Sequence, residues 1–219
     1  MRPFLSGFYE RRREVRRYLA VLIRSERMAE KNGARGKHER EFRMARAAAM
    51  LILYNMIEAS ARSSIQAIYD EITNTKTPFD ALRATLRKRI LKDFKNNFGM
   101  VRSDTIKSIA YQLVDASFDS RRLFSGNVDA REIRQQAVDY GFAVDTDYSR
   151  TKHGEDLLVI KNLRNDLAHG ILSFSDVGRD YIATDILKIS RSSLCYMEDI
   201  LLKINEYLDK MQYCQGQVA

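Results

Sequence analysis

The chain has 219 residues, a formal net charge of +8, 45% hydrophobic residues and 30% charged residues. This balance, with only 10 Gly and 2 Pro, is typical of a folded, helix-rich protein and excludes a disordered chain. The length allows one substantial hydrophobic core, so we expect a single domain over residues 1–219.

The sequence predicts a cytoplasmic protein without a membrane segment. Its two cysteines, Cys195 and Cys214, have neither the spacing of a zinc site nor the density of a disulfide scaffold. The longest apolar stretch, 47–57, is too short to span a bilayer, and the N-terminus lacks the apolar core of a secretory signal. We expect reduced thiols and neither a metal site nor a cofactor.

The first predicted element is a basic helix. Residues 1–50 contain 14 Lys or Arg and 6 Glu, which accounts for the whole net charge. Helical spacing of apolar residues from Phe8 onward predicts a helix over 7–31, so that 1–38 form a basic N-terminal helix and linker. The densest part of this helix contains three adjacent candidates for binding a phosphate backbone: Arg11, Arg12 and Arg13. The alternative is a solvated face on which Glu and Arg pair.

The remainder, 39–219, is predicted to be a helical bundle that carries the active site. Apolar residues recur at helical spacing, and no convincing alternation of a β-strand is present, so the fold class is all-α. Four helices are predicted in the first part: about 39–72, Leu82 to Phe94, 104–118, and one capped by Asp129 that ends at Gly141.

The last third of the chain contains two further predicted helices. One begins near Glu155 and ends at His169, because Gly170 suits the left-handed position just after a helix. Residues 176–180 are predicted to form a loop over a cleft, and Thr184 is predicted to cap the last helix.

Arg164 and His169 are the most informative pair. His169 would lie at the negative end of its helix, which favours a protonated imidazole able to donate a proton. Arg164 lies in an apolar stripe with Leu157, Ile160 and Ala168, where a guanidinium calls for a carboxylate or a phosphate. On one regular helix the two side chains point about 140° apart and lie about 7.5 Å apart along the axis, so a helix cap or a second copy must bring them together.

The run Arg164-Asn165-Asp166-Leu167-Ala168-His169-Gly170 resembles the Arg-x4-6-His motif of the HEPN superfamily. The segment 125–131, Ser-Gly-Asn-Val-Asp-Ala-Arg, and the pair Ser173-Phe174 are similar to a prokaryotic branch, the MAE-type HEPN nucleases. The resemblance covers about residues 40–210.

The resemblance implies a helical homodimer that cleaves RNA without a metal ion or cofactor, as a toxin or a phage-defence effector. Arg164 would hold the scissile phosphate, and His169 would transfer protons during attack by the ribose 2′-hydroxyl. Asn165 would orient His169 or the phosphate, and Lys161, one turn earlier, is a further candidate for the RNA backbone.

Two questions stay open from the sequence. A cognate antitoxin is implied, but position 171 is Ile, whereas HEPN toxins silenced by adenylylation carry Tyr two residues after the motif His. This argues against that form of control. The alternative function is a catalytically inactive RNA-binding protein or a regulatory helical dimer.

Overall fold

The structure, a computed structural model, describes residues 1–98, 124 and 126–216. Within these residues the backbone is almost entirely helical, and the only strand-like pairing is an isolated bridge between Leu82 and Cys214. The all-α prediction is confirmed. The described α-helices are α1 (Pro3–Lys31), α2 (Glu39–Asn74), α3 (Ala84–Phe98), α4 (Ala130–Tyr140), α5 (Tyr148–Thr151), α6 (Glu155–Ala168), α7 (Phe174–Asp180) and α8 (Ala183–Asp209).

Helix α2 is the centre of the bundle. It is 36 residues long and packs against α1, α6, α7 and α8. Because it is covered on several sides, apolar residues occur around most of its circumference, and Tyr54 and Met50 are fully buried. One apolar cluster extends from Phe4 to Tyr213, as a single core requires.

Helix α1 begins earlier than predicted. Pro3 occupies the first turn, where its missing N–H is not needed, and Phe4 and Leu5 are buried. The start therefore lies at Pro3 rather than at residue 7. The apolar face identified from the sequence, including Phe8, packs inward as expected.

Helices α3 and α4 largely follow the predicted pattern. Leu86 and Ile90 are buried, and α3 packs against α4. The Asp129 side chain accepts a hydrogen bond from the backbone N–H of Glu132, and Gly141 adopts a left-handed conformation at the end of α4. Both predicted ends are confirmed. The helix predicted over 104–118 lies outside the described residues.

The prediction of a loop over 176–180 is wrong, because α7 occupies Phe174–Asp180. The Ser173 side chain accepts from the Asp176 backbone N–H, and the Asp176 carboxylate accepts from the Ser173 backbone N–H. This capping box starts the helix despite its shortness. The Thr184 cap is also wrong: α8 begins after Ile182, with no side-chain cap.

A buried arginine joins α1, α2 and α7. The Arg46 side chain is 1% exposed, and its guanidinium contacts Glu26 Oε1 at 2.7 Å, Glu39 Oε1 at 3.1 Å and the Gly178 carbonyl oxygen at 2.9 Å. Such a site is stable only when ionic partners replace water. The network fixes α7, the helix that follows His169, on α2. Among the described helices, none is long and apolar enough to cross a membrane.

Candidate active site

Helix α6 ends where the sequence predicted. His169 is the C-terminal cap residue (φ −91°, ψ 0°), and Gly170 has φ +68°. The Ile171 N–H donates to the Asp166 carbonyl at 2.8 Å, and the Gly170 N–H donates to the Leu167 carbonyl at 3.3 Å. These two bonds form a Schellman motif, which fixes the backbone at His169.

The His169 side chain lies in the open. It is exposed, and none of the residues that the structure describes hydrogen-bonds to its imidazole. An ideal Cβ on neighbouring Gly170 would meet no atom within 4 Å. The imidazole is therefore accessible to a ligand.

Arg164 is half-buried and is held differently from what the sequence led us to expect. Its guanidinium carbon lies 5.0 Å from the centre of the Tyr54 ring. Its Nη1 donates to Asn165 Oδ1 at 2.9 Å and to the Gly126 carbonyl at 3.3 Å. Among the described residues, an aromatic face and two neutral oxygens contact the guanidinium and no carboxylate does. The phosphate that the sequence analysis offered as the other partner stays a prediction.

The charge of Arg164 is not neutralised within the part of the chain that the structure describes, where it forms no ion pair. Burial of the Tyr54 phenol raises its pKa, so Tyr54 is a neutral platform at physiological pH. Ala168, expected on the apolar side of α6, is exposed. A positive group that is positioned but not compensated suits an anionic ligand such as a phosphate.

Three side chains of one α6 turn contact the segment 126–129. Besides the contact of Arg164 with Gly126, Asn165 Nδ2 donates to Asn127 Oδ1 at 3.2 Å. The Lys161 ammonium lies 2.5 Å from Asp129 Oδ2. In this chain the Gly-Asn-x-Asp segment is therefore the packing partner of the helix that carries the arginine.

The segment also needs its glycine. Gly126 has φ +77°, and an ideal Cβ there would lie 2.9 Å from Arg164 Nη1. Two residues later, the Val128 N–H donates to the Tyr54 hydroxyl at 3.3 Å. Tyr54 therefore contacts both Arg164 and the segment that accepts a hydrogen bond from Arg164.

Asp129 carries an electrostatic link as well as a helix cap. Partial burial alone would raise the pKa of its carboxyl, but the Lys161 ammonium and the Glu132 N–H more than offset this and lower the pKa below its ordinary value. Lys161 is therefore committed to a carboxylate, and its contact with RNA remains a prediction.

The other predicted site residues do not form one patch. Arg12 contacts Glu198 Oε1 of α8 at 2.7 Å and is 16% exposed. Arg11 is half-buried, whereas Arg13 is exposed. Consecutive residues on a helix point about 100° apart, so a run of three arginines cannot face one ligand. Asn165 contacts Arg164 and Asn127, and its role in orienting His169 or the phosphate stays a prediction.

The sequence analysis assigned no site role to Tyr54, Gly126 or Asn127. Tyr54 had the helical spacing of a core residue, and nothing local distinguishes a buried tyrosine from one that supports an arginine. Gly126 and Asn127 belonged to a segment noted for its resemblance, but its place beside Arg164 is visible only in the folded chain.

Comparisons with known proteins address the family. Neither the curated proteins nor the solved structures include a match. The model of one family, the MAE-type HEPN domains, matches residues 5–213, nearly the whole chain. The matched range includes nearly all of α1, which the motif resemblance did not cover, and it includes Arg164 and His169. The chain belongs to the MAE-type HEPN family.

Proposed function

We propose that the protein is an endoribonuclease that cleaves RNA without a metal ion, using Arg164 and His169. One observation carries the proposal: a guanidinium that is positioned but has no described acidic partner lies on the helix that ends at an exposed histidine. Family membership supports a HEPN nuclease-type function at the level of the superfamily.

The reaction we propose is an internal phosphoryl transfer. The ribose 2′-oxygen forms a bond to phosphorus while the bond from phosphorus to the 5′-oxygen breaks. The 2′-hydroxyl proton passes to a base, and the leaving 5′-oxygen receives a proton from an acid. The products are a cyclic phosphate and a 5′-hydroxyl, with no change of oxidation state.

Each residue then has a separate task. The Arg164 guanidinium would bind the phosphate oxygens and stabilise the negative charge that grows on them. Because Tyr54, Asn165 and Gly126 already position it, little reorganisation is needed in the transition state. His169, which is exposed and has no hydrogen bond from a described residue to its imidazole, would accept or donate the proton.

A homodimer would complete the site. On one helix, Arg164 lies toward Tyr54 while His169 is exposed, so a second copy is the simplest means of placing both groups against one phosphate. Exposed apolar side chains lie close after His169 in the sequence, with Ile171 69% and Phe174 38% exposed. Such residues favour a protein partner.

Purified protein incubated with RNA in EDTA tests the proposal. We expect cleavage to end in a cyclic phosphate, and Arg164→Ala and His169→Ala each to lower the rate at least about 100-fold. His38→Ala is the matched control, because His38 is exposed in the linker before α2. Absence of cleavage, or equal cleavage by His169→Ala, would favour the inactive RNA-binding or regulatory alternative.

A toxin or phage-defence role follows only if cleavage harms the cell. We expect cells that express the wild-type chain to stop growing, and cells that express Arg164→Ala or His169→Ala to grow normally. An antitoxin would then be the co-expressed protein that restores growth to the wild type. Ile171 lacks the hydroxyl that adenylylation requires, so such an antitoxin would have to inhibit the protein by a mechanism other than adenylylation at this position.

A further inference from the structure

We propose that the exposed face of α1 is a second RNA-binding surface that follows the phosphates of an extended strand. The choice of RNA as the ligand rests on the proposed function, but binding at this surface does not require cleavage. The surface, termed the α1 stripe, consists of Arg13, Arg17, Ala20, Arg24, Arg27 and Lys31.

The α1 stripe is continuous. Its members are spaced by three or four residues, so at 100° per residue they stay within about 40° of Arg13 on the helix surface. All six are exposed. From the first member to the last the stripe is about 27 Å long, at about 1.5 Å per residue. Five of its six positions are cationic, and none carries a carboxylate.

These cations are left without acidic partners. Within the described residues, no ion pair includes Arg13, Arg17, Arg24, Arg27 or Lys31. Three carboxylates lie between residues 13 and 31. Two of them bind arginines outside α1: Glu26 binds Arg46 at 2.7 Å, and Glu30 binds Arg35 at 3.2 Å. The third, Glu14, is exposed and forms no ion pair with any described residue. Arg12, which lies outside the α1 stripe, is the one arginine of α1 with a described ion pair, to Glu198.

The surroundings favour RNA over a membrane. An amphipathic helix binds a bilayer by inserting its apolar face, but the apolar face of α1, which includes Phe8, Val15 and Leu19, is buried in the bundle. Four of the five cations are arginines, whose planar guanidinium groups bind phosphate oxygens in pairs. A shallow depression of about 440 Å³ beside Arg24 and Arg27 has an apolar floor that includes Ile23. This combination of cations and apolar surface fits phosphates and bases together.

The proposal predicts a specific salt dependence. Binding to single strands releases counterions, with a slope of log K against log salt of about −0.7 for each phosphate neutralised. Five cations therefore contribute about −3.5 to the slope, or an affinity loss of about 100-fold between 50 and 200 mM salt.

The test uses the full chain with His169→Ala, which keeps the RNA intact. Affinity for a labelled 20-nucleotide single strand is measured over 50–200 mM salt, with and without the changes Arg17→Gln, Arg24→Gln, Arg27→Gln and Lys31→Gln. We expect these to reduce the slope by about 2.8 and to weaken binding at least tenfold at the lowest salt. Exposed Gln keeps the helix, and an unchanged thermal midpoint checks the fold.

A matched variant separates position from net charge. Arg40→Gln, Lys88→Gln, Lys92→Gln and Lys95→Gln also remove four exposed cations, but away from the α1 stripe. We expect this variant to keep the slope. An equal loss in both variants would show that only net charge matters and would overturn the proposal.

Two further outcomes separate this proposal from others. The first is binding to vesicles of phosphatidylserine and phosphatidylcholine. If the stripe variant loses this binding while its RNA binding is unchanged, the α1 stripe is a membrane surface and the proposal is overturned. If the wild type cleaves RNA but the α1 stripe variant binds RNA with unchanged affinity, the RNA-binding surface is overturned and the proposed function stands. If RNA binding depends on the α1 stripe but the wild type does not cleave RNA, the RNA-binding surface stands and the proposed function is overturned.

Discussion

The C-terminal end of α6 and its cap contain two residues of the same motif in opposite situations. Arg164 is held on three sides, by the Tyr54 ring, the Asn165 amide and the Gly126 carbonyl. At His169 a Schellman motif fixes the backbone, but no described residue hydrogen-bonds to the imidazole. The fold therefore positions the guanidinium in advance and leaves the imidazole free to turn. If the two groups have the roles we propose, the proton-transfer group is oriented only by the substrate or by a second copy.

The largest expected effect concerns that second copy. Arg164→Ala and His169→Ala should each be inactive alone, yet co-expressed with different tags they should form heterodimers in which one of two shared sites is intact. In heterodimers purified through both tags, one of the two shared sites is intact, so we expect about half of the wild-type rate. The measurement is the cleavage rate of the doubly tagged pool. No recovery in purified heterodimers would mean that both side chains act from one copy.

The next effect concerns the helix that follows His169. An ideal Cβ at Gly178 would lie 2.0 Å from the carbonyl oxygen of Arg43, where neither backbone yields easily. Gly178→Ala should lower the free energy of unfolding by about 3 kcal/mol or more and the thermal midpoint by about 6–12 °C. Gly36→Ala is the control, since a Cβ there would meet nothing within 4 Å. Equal thermal midpoints for the two variants would contradict the close packing of α7 on α2.

A smaller effect tests the positioning of Arg164. Gly126→Ala and Gly33→Ala both place alanine at positive φ, +77° and +66°, and each should cost about 1–2 kcal/mol of stability. Only at position 126 does the new methyl group meet the Arg164 guanidinium, which is flexible enough to move aside. We expect kcat/KM to be about 10-fold lower in Gly126→Ala than in Gly33→Ala, because a displaced guanidinium stabilises the transition state less well. Matching values of kcat/KM would show that the position of Arg164 is not set by this segment.

The smallest effect is a dependence on pH. The folded state lowers the pKa of Asp129, so its stabilising contribution is complete above the unfolded pKa of about 3.9 and is lost as the pH falls through that value toward the lower folded pKa. Asp129→Asn should therefore destabilise the protein by about 1–2 kcal/mol at pH 7 and by less at pH 3. Urea unfolding at pH 7, 5 and 3 measures this difference, with exposed Asp80→Asn as the control. A difference that is constant with pH would exclude the charge of Asp129 as its source.

Much of the fold could be predicted because helix signals are local. Apolar spacing identified α1, α2 and α6, and Asp129, Gly141 and Gly170 marked helix ends correctly. The wrong prediction of a loop over 176–180 also concerns a local signal. The capping box of Ser173 and Asp176 favours a helix there, whereas Gly178 favours a loop, and the capping box prevails. Glycine usually argues against a helix, but here it allows α7 to approach the backbone of Arg43.

The motif pair Arg164 and His169, and the place of the histidine at a helix end, were determined by the sequence itself, because spacing and caps act within about five residues. The partners of Arg164 were decided only by the tertiary structure. Tyr54 precedes it by 110 positions and Gly126 by 38, and no local pattern links residues that far apart. Packing of α6 on α2 brings an aromatic face beneath the guanidinium. Within the described residues, this cation–π contact rather than a carboxylate stabilises the half-buried arginine, which leaves it available to an anionic ligand.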